Sequence, residues 1–280
     1  MPSVTASDVA FRFLKDIAAD LSAREVSFPT FLDATLRIRR AVDDPSVDTD
    51  TVARAVSSEP LVSAKIVQVA NSAAVNPGGK PVSDVRSAIA RVGFVTIRTV
   101  AVAVAVQQLR SSGELAKYAR RAELAWNHSV EVAAHAYFIA KKTTRLNPDE
   151  ALFAGLVHDI GYFYLLSKAG RYPELDGNPE MLDVGLAEWH APIGQSVLHG
   201  FGLSDAALEA VAEHEIGRVR APMRTLLDVV TCANLICART NPIFLSKAAV
   251  APPAPQDPQL AAALAEAEAD IRGLAQALRA

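Results

Sequence analysis

From about residue 114 onward, apolar residues recur at helical spacing in one segment after another. Breaks fall at Asn147-Pro148, Gly170 to Pro179 and Gly200 to Ser204. The one run that alternates with a period of two, Val100 to Val106, is built from alanine and valine. Alanine is a poor strand former and no partner strand is evident nearby, so the run reads as a buried helix. A chain patterned this way buries its apolar faces by packing helix on helix, and the predicted fold class is all-α.

The first part of the chain carries the same signals. Thr30 to Val42 sets Phe31, Ala34, Leu36, Ile38 and Val42 near one helical face and ends before the turn-rich DDPSVDTD. Thr49 or Asp50 is placed to cap the next helix. Glu59-Pro60 opens another, LVSAKIVQVANSA, which Asn76 to Gly79 stops. These breaks divide the chain into an N-terminal helical lobe (1–113), a second helical lobe (114–245), and a Pro-rich linker with a C-terminal amphipathic helix (246–280). Leu260, Leu264, Ile271, Leu274 and Leu278 give that last helix a narrow apolar stripe, which can dock on the body or on a second copy as a homo-oligomer contact.

Composition narrows the function classes. With 50% apolar and 21% charged residues, the 280-residue chain can bury a sizeable core. A net charge of -3 supplies no long-range attraction to nucleic acid or anionic membrane, so neither is expected as a partner. Arg37, Arg39, Arg40, Lys65, Arg86, Arg91 and Arg98 read as solvated helix faces. Cys232 and Cys237, five apart, fit neither a disulfide framework nor a CxxC motif, which points to a reducing, cytoplasmic setting. The N-terminus lacks a basic start followed by an apolar run. Val100 to Val106 is far short of the roughly 20 residues of a membrane span.

Chemistry concentrates in the histidines. His158-Asp159 in GLVHDIG is the anchor, because an adjacent imidazole and carboxylate at a helix turn can bind divalent metal, the carboxylate bridging two ions, provided other helices bring further ligands. Candidates are His128 in AWNHSVEVA, His190 in EWHAPIG and His214 in EHE. The same residues could instead tie helices together in a polar pocket. His135 reads as core or surface, and His199 as loop.

GLVHDIG, with WNHS about 30 residues before it and EWHAPIGQSVL about 30 after, resembles the HDOD domain, a regulatory relative of the HD phosphohydrolase superfamily. The segment from FPTFLDATLRIRRAV to LVSAKIVQVANSA is similar to that family's opening, and PVSDVRSAIARVGFVTIRTVAVA to its following segment; together they cover about residues 24 to 240. The resemblance implies two helical lobes, the second HD-like, with His128, His158, Asp159, His190 and His214 as candidate ligands of a divalent metal (Fe, Mn, Zn or Ni). Glu213, Asp228 and Asn234 are weaker candidates, and Glu215 is a further carboxylate beside His214. The chain departs from the catalytic HD-GYP pattern at three places: Tyr162 stands where a lysine follows HDIG, Glu213-His214-Glu215 where HHE stands, and Asn234 where a closing aspartate stands.

The implied function is a bacterial signal-transduction module of the HDOD type. It is expected to be non-catalytic, acting through a ligand or through signalling proteins in trans, such as receiver or cyclic-di-GMP-related proteins. The alternative is a metal-dependent phosphohydrolase of nucleotides or cyclic dinucleotides, with His158 and Asp159 as its candidate catalytic residues.

Overall fold

A computed structural model describes residues 6–22, 38, 41–42, 44, 46–110, 113–176, 178–199, 203–216, 218–245 and 256–279. Among them the regular structure is helical, with no strand. In chain order the helices are α1 (Ala6–Ser22), α2 (Thr49–Ser57), α3 (Pro60–Ala70), α4 (Val85–Arg110), α5 (Ala119–Thr143), α6 (Pro148–Val157), α7 (Ile160–Ala169), α8 (Pro179–His199), α9 (Asp205–Glu213), α10 (Leu226–Ile236), α11 (Pro242–Leu245), α12 (Pro258–Glu266) and α13 (Glu268–Arg279). The all-α expectation therefore holds.

Most helix starts follow the local rules read from the sequence. Pro60 and Pro148 sit in the first turns of α3 and α6, where a missing N–H costs nothing, and Asn147 caps α6 through Asp149 N. The cap of α2 differs from the expected Thr49 or Asp50. Asp48 takes that place, its Oδ1 accepting from Thr51 N at 2.6 Å, because its backbone is extended while Thr49 and Asp50 already lie within the helix. His199, read as loop, is the exposed last residue of α8. Of the predicted helix Thr30 to Val42, Ile38, Ala41 and Val42 are helical and the rest lies outside the described residues, as do Arg37, Arg39, Arg40 and linker positions 246–255.

Val100 to Val106 is helical and mostly buried, as predicted. It belongs to α4, which is two helices joined at Gly93, whose φ of 75° suits glycine alone among common residues. Val85–Leu109 is long and apolar enough, by length and composition, to cross a membrane. Yet 61% of its most apolar stretch is buried against the rest of the protein and Gly93 interrupts it, so it serves as a core helix.

Two basic residues expected on solvated faces are committed to main-chain carbonyls instead. Arg91 donates to Ala70 O and Lys80 O, closing the end of α3, while buried Lys65 donates to Leu278 O at 3.4 Å. Asn71 braces the loop after α3 by pairing both main-chain groups of Val82, at 2.7 and 2.8 Å.

One continuous apolar core runs from Phe13 to Leu278 and includes side chains from both predicted lobes. A second gathers α5, α6, α9, α10 and α12 around Val132, Ala154 and Val230. Helix α5 is central. It packs on α6, α10, α12 and α13, and its alanines at 122, 125, 133, 134, 136 and 140 are buried because so many neighbours need close approach. The tail resolves in favour of the body: Leu260, Ile271, Leu274 and Leu278 are buried against it, and the ion pairs Arg279–Glu131 and Lys142–Glu266 fasten it to α5. Its apolar stripe is thereby used within the chain.

Candidate metal centre

The His158-Asp159 pair lies where α6 ends and α7 begins. His158 is the C-cap of α6 and Asp159 the N-cap of α7, with φ of -99° and ψ of 17°. Glycines on both sides explain how this junction reaches its neighbours. A Cβ on Gly155 would lie 2.9 Å from Ala133 Cα of α5, and one on Gly161 would lie 2.0 Å from His190 O and 2.5 Å from Gly194 N of α8. The GLVHDIG segment is thus pressed between α5 and α8, the helices that carry His128 and His190. His214 arrives as the C-cap of α9.

The five predicted residues converge as two triads sharing Asp159: His128, His158 and Asp159, and Asp159, His190 and His214. In each triad the ligand atoms lie within 4.8 Å of one another. All five side chains are 0–1% exposed. Asp159 Oδ2 lies 3.4 Å from His158 Nε2 and 3.9 Å from His128 Nε2, and Oδ1 lies 3.4 Å from both His190 Nε2 and His214 Nε2.

Imidazole orientation is set by main-chain carbonyls. His158 Nδ1–H donates to Gly155 O at 2.7 Å, His190 Nδ1–H to Leu186 O at 2.9 Å and His214 Nδ1–H to Val211 O at 2.8 Å, so each Nε2 faces the centre. Two of these nitrogens, on His190 and His214, are 3.2 Å apart. Two lone pairs cannot face each other at that distance without a proton or a cation between them.

The carboxylate leads to the same requirement. An N-cap aspartate normally accepts from its own helix, but Asp159 makes no such bond. Both of its oxygens, and His158 Nε2, are buried without a hydrogen-bond partner. Bonds of about 2.0–2.2 Å to one ion set neighbouring N and O ligands about 3.0–3.4 Å apart, so the 3.2 and 3.4 Å spacings around Asp159, His190 and His214 fit a divalent cation. These clusters could hold a metal ion.

Without metal, a proton supplies the positive charge. Burial opposes a charged His214, but its contacts with Asp159 and Glu215 outweigh burial and raise it to about 10. Burial would raise Asp159, yet the surrounding imidazoles, His158 first, hold it well below its usual range. Burial lowers His158 to about 3 and also lowers His128 and His190. Glu215, which burial would raise, is brought down to about 2 chiefly by His214.

The weaker candidates separate. Asn234 lies at the centre: its Oδ1 is 2.9 Å from His128 Nε2 and its Nδ2 donates to Glu215 Oε1 at 3.2 Å. Glu213 is exposed, and Glu215, 3.5 Å from His214 Nε2, is the carboxylate that faces inward. Asp228 is occupied elsewhere. It forms a capping box with Thr225 and accepts from Arg224 N and Thr225 N, so its position at the start of α10 is an architectural one. Asn241, which donates to both Glu215 and Asn234, and Thr240, 3.2 Å from His128 Nδ1, carry no motif that would mark them in the sequence. Tyr162, where the catalytic pattern has lysine, is buried. Its phenol, raised to about 12 chiefly by burial, is hydrogen-bonded by Arg121, which is ion-paired with Asp183. His135 packs beside Cys237, with Nδ1 2.8 Å from Glu131 O.

Helices packed around a buried junction where four histidines surround one aspartate define an HD-type helical protein. The particular family follows from comparison: the HDOD domain profile matches residues 28–216, and the chain belongs to the HDOD family. A Shewanella amazonensis SB2B structure provisionally named a metal-dependent phosphohydrolase has the same fold, with a TM-score of 0.73 and 23% identity over 96% of this chain and 99% of that one. An HDOD domain protein of unknown function from Geobacter sulfurreducens superposes with a TM-score of 0.63 at 21% identity, covering 96% of each chain. A Marinobacter aquaeolei VT8 structure provisionally named a signal transduction protein gives a TM-score of 0.59 at 15% identity, covering 100% of this chain and 68% of that one. An uncharacterized protein of Treponema pallidum (strain Nichols) is 24% identical over 237 residues, 78% of this chain, and the chain spans 44% of that protein's length.

Proposed function

We propose that the chain is a non-catalytic regulatory module of the HDOD type, whose second lobe holds a divalent metal and responds to a ligand or a signalling protein in trans. The observation that carries this reading is enclosure. The five centre residues are 0–1% exposed, and the centre meets solvent through Glu215, whose side chain is 20% exposed. Catalysis on a phosphate ester needs an open metal position and a cation for the phosphate. The lysine position is Tyr162 here and neighbouring Arg121 is already committed to Asp183, which leaves no cation on that side of the centre among the described residues; Arg218 and Arg220 stand on the His214 side.

A cavity supports the ligand-binding reading. It measures about 910 Å³ and lies beside His214 and Glu215, lined by Arg218 and Arg220, and by Lys142, which is paired with Glu266, and walled by the start of α12; its two arginines suit an anionic small molecule. The name of the Marinobacter structure supports a signalling role. Imidazole and carboxylate donors suit Fe, Mn, Zn or Ni. Free, buried Cys232 and Cys237 accord with a reducing, cytoplasmic setting.

The second reading, a metal-dependent phosphohydrolase, is favoured by the two triads sharing Asp159. A bound ion would supply Lewis acidity and an activated water. In that reading His128, His158, His190, His214 and Asp159 would hold the metal.

Elemental analysis of protein purified without chelator, paired with assays on bis(p-nitrophenyl) phosphate and cyclic dinucleotides, tests both. Metal present in the wild type, absent from an Asp159→Asn variant, with no turnover by either, is the expected result. Turnover that disappears in a His158→Ala variant would replace the regulatory reading with the enzymatic one.

A further inference from the structure

A chain of hydrogen bonds links the C-terminal helix to one histidine of the centre. Arg279 Nη2 of α13 donates to Glu131 Oε1 at 2.8 Å, Thr240 Oγ1 lies 3.1 Å from Glu131 Oε2, and His128 Nδ1 lies 3.2 Å from that same Thr240 oxygen. Arg279 lies outside the matched domain, and Glu131 stands one turn beyond His128 on α5.

The direction of these bonds decides which nitrogen of His128 carries its proton. Unlike the other three histidines, His128 has no carbonyl fixing its Nδ1, and two arrangements compete. In one, Nε2–H donates to Asn234 Oδ1 at 2.9 Å and Nδ1 accepts from the Thr240 hydroxyl, so no lone pair faces the centre. In the other, the Thr240 proton goes to Glu131 or to Cys237 O at 2.9 Å. The Thr240 oxygen then accepts from Nδ1–H, and the Nε2 lone pair is available to a cation. Without a cation, Asn234 Oδ1, held toward His128 by the bonds of Asn234 to Glu215 and Asn241, keeps the first arrangement. A cation on Nε2 demands the second, which Glu131 stabilises because a carboxylate accepts the Thr240 proton more strongly than a neutral imidazole nitrogen does, and Arg279 fixes Glu131 in place.

We infer that the C-terminal helix sets the metal affinity of the centre through Arg279, Glu131 and Thr240, positioning residues that select the tautomer of His128. The inference rests on the metal-binding reading above. Linkage makes the effect reciprocal: docking of α13 tightens metal binding, and bound metal holds α13 down by the same factor.

The test titrates full-length protein with Mn²⁺, following free ion by electron paramagnetic resonance, and measures trypsin cleavage of the tail with Mn²⁺ or with EDTA. Thr240→Val, which keeps the shape and removes the hydroxyl, is expected to weaken Mn²⁺ about 10- to 100-fold, the usual loss for an outer-shell partner. Thr240→Ser should restore wild-type affinity, which separates the hydroxyl's role from a packing defect. Arg279→Ala should weaken binding about 10-fold, the lower end of that range. In the wild type, metal should slow tail cleavage, and Thr240→Val should abolish that protection. Wild-type Mn²⁺ affinity in Thr240→Val, or tail cleavage indifferent to metal, overturns the relay while leaving the centre intact. A wild type that binds no Mn²⁺ overturns the metal reading and this inference with it.

Discussion

Replacing Gly161 by alanine tests whether backbone contact between α7 and α8 builds the centre. The added Cβ would stand 2.0 Å from His190 O, about 1.4 Å short of ordinary van der Waals contact, and 2.5 Å from Gly194 N. Both obstacles are backbone, so no rotamer change relieves them and the two helices must separate. A separation near 1 Å is several times the roughly 0.2 Å tolerance of a metal–ligand bond. It would move His190 away from Asp159, now 3.4 Å distant, while His128 and His158 on the α5 side stay in place. The expected outcome is loss of metal from the Asp159, His190 and His214 triad, with the other triad less affected. Overpacking should also cost about 1–3 kcal/mol, or several degrees in Tm. Elemental analysis and thermal melts of wild-type and variant protein with and without EDTA measure both effects. A Gly161→Ala protein with wild-type metal content and an unchanged melt would refute the argument that this contact sets the geometry of the centre.

Asp159→Asn should empty both triads, whereas His190→Ala should spare the one formed by His128 and His158. Metal stoichiometry distinguishes them, and equal losses would contradict the shared role of Asp159. Asp228→Asn should destabilise the protein by about 1 kcal/mol through the lost capping box. Burial raises the Asp228 pKa, but bonds from Arg224 N and Thr225 outweigh it, so the folded value lies below the unfolded one. Its stabilisation is therefore present above the unfolded pKa and lost as pH falls through the folded one. Chemical denaturation between pH 7 and 3 should show the wild type losing an advantage that the variant never had. Leu278→Ala, at a fully buried position of α13, should cost about 2–5 kcal/mol and hasten proteolysis of the tail, and an unchanged protease profile would mean the tail is not held by this face.

Helix starts were legible in the sequence where a side chain acts on its own neighbours. Pro60 marks its helix by chemistry that operates within one turn, and Asn147 and Ser204, read only as parts of breaks, cap the helices that follow those breaks. The cap of α2 shifted by a residue because Asp48, Thr49 and Asp50 all have capping chemistry, and backbone conformation chooses among them. The candidate histidine and aspartate residues were legible because their side chains are rare in buried positions and their spacing repeats a family pattern. Glu215 over Glu213 was a matter of helix phase at the end of α9, where α9 gives way to a turn. Thr240, Asn241 and Glu131 carry ordinary polar side chains in ordinary surroundings. Their roles come chiefly from distant partners: His128 lies 112 residues from Thr240, Glu215 lies 26 from Asn241 and Arg279 lies 148 from Glu131.

By itself the sequence determined an all-helical chain, the helix-breaking turns and the set of metal-capable side chains, because periodicity, capping and donor chemistry are local properties. Tertiary structure decided that Asp159 turns from its own helix toward four imidazoles. It also decided that Asp228 caps while Asn234 touches His128, and that the tail closes on α5. Those outcomes depend on which helix faces which. That is fixed by burial summed over the whole core and by the close approaches at Gly155 and Gly161, neither of which is contained in any one segment.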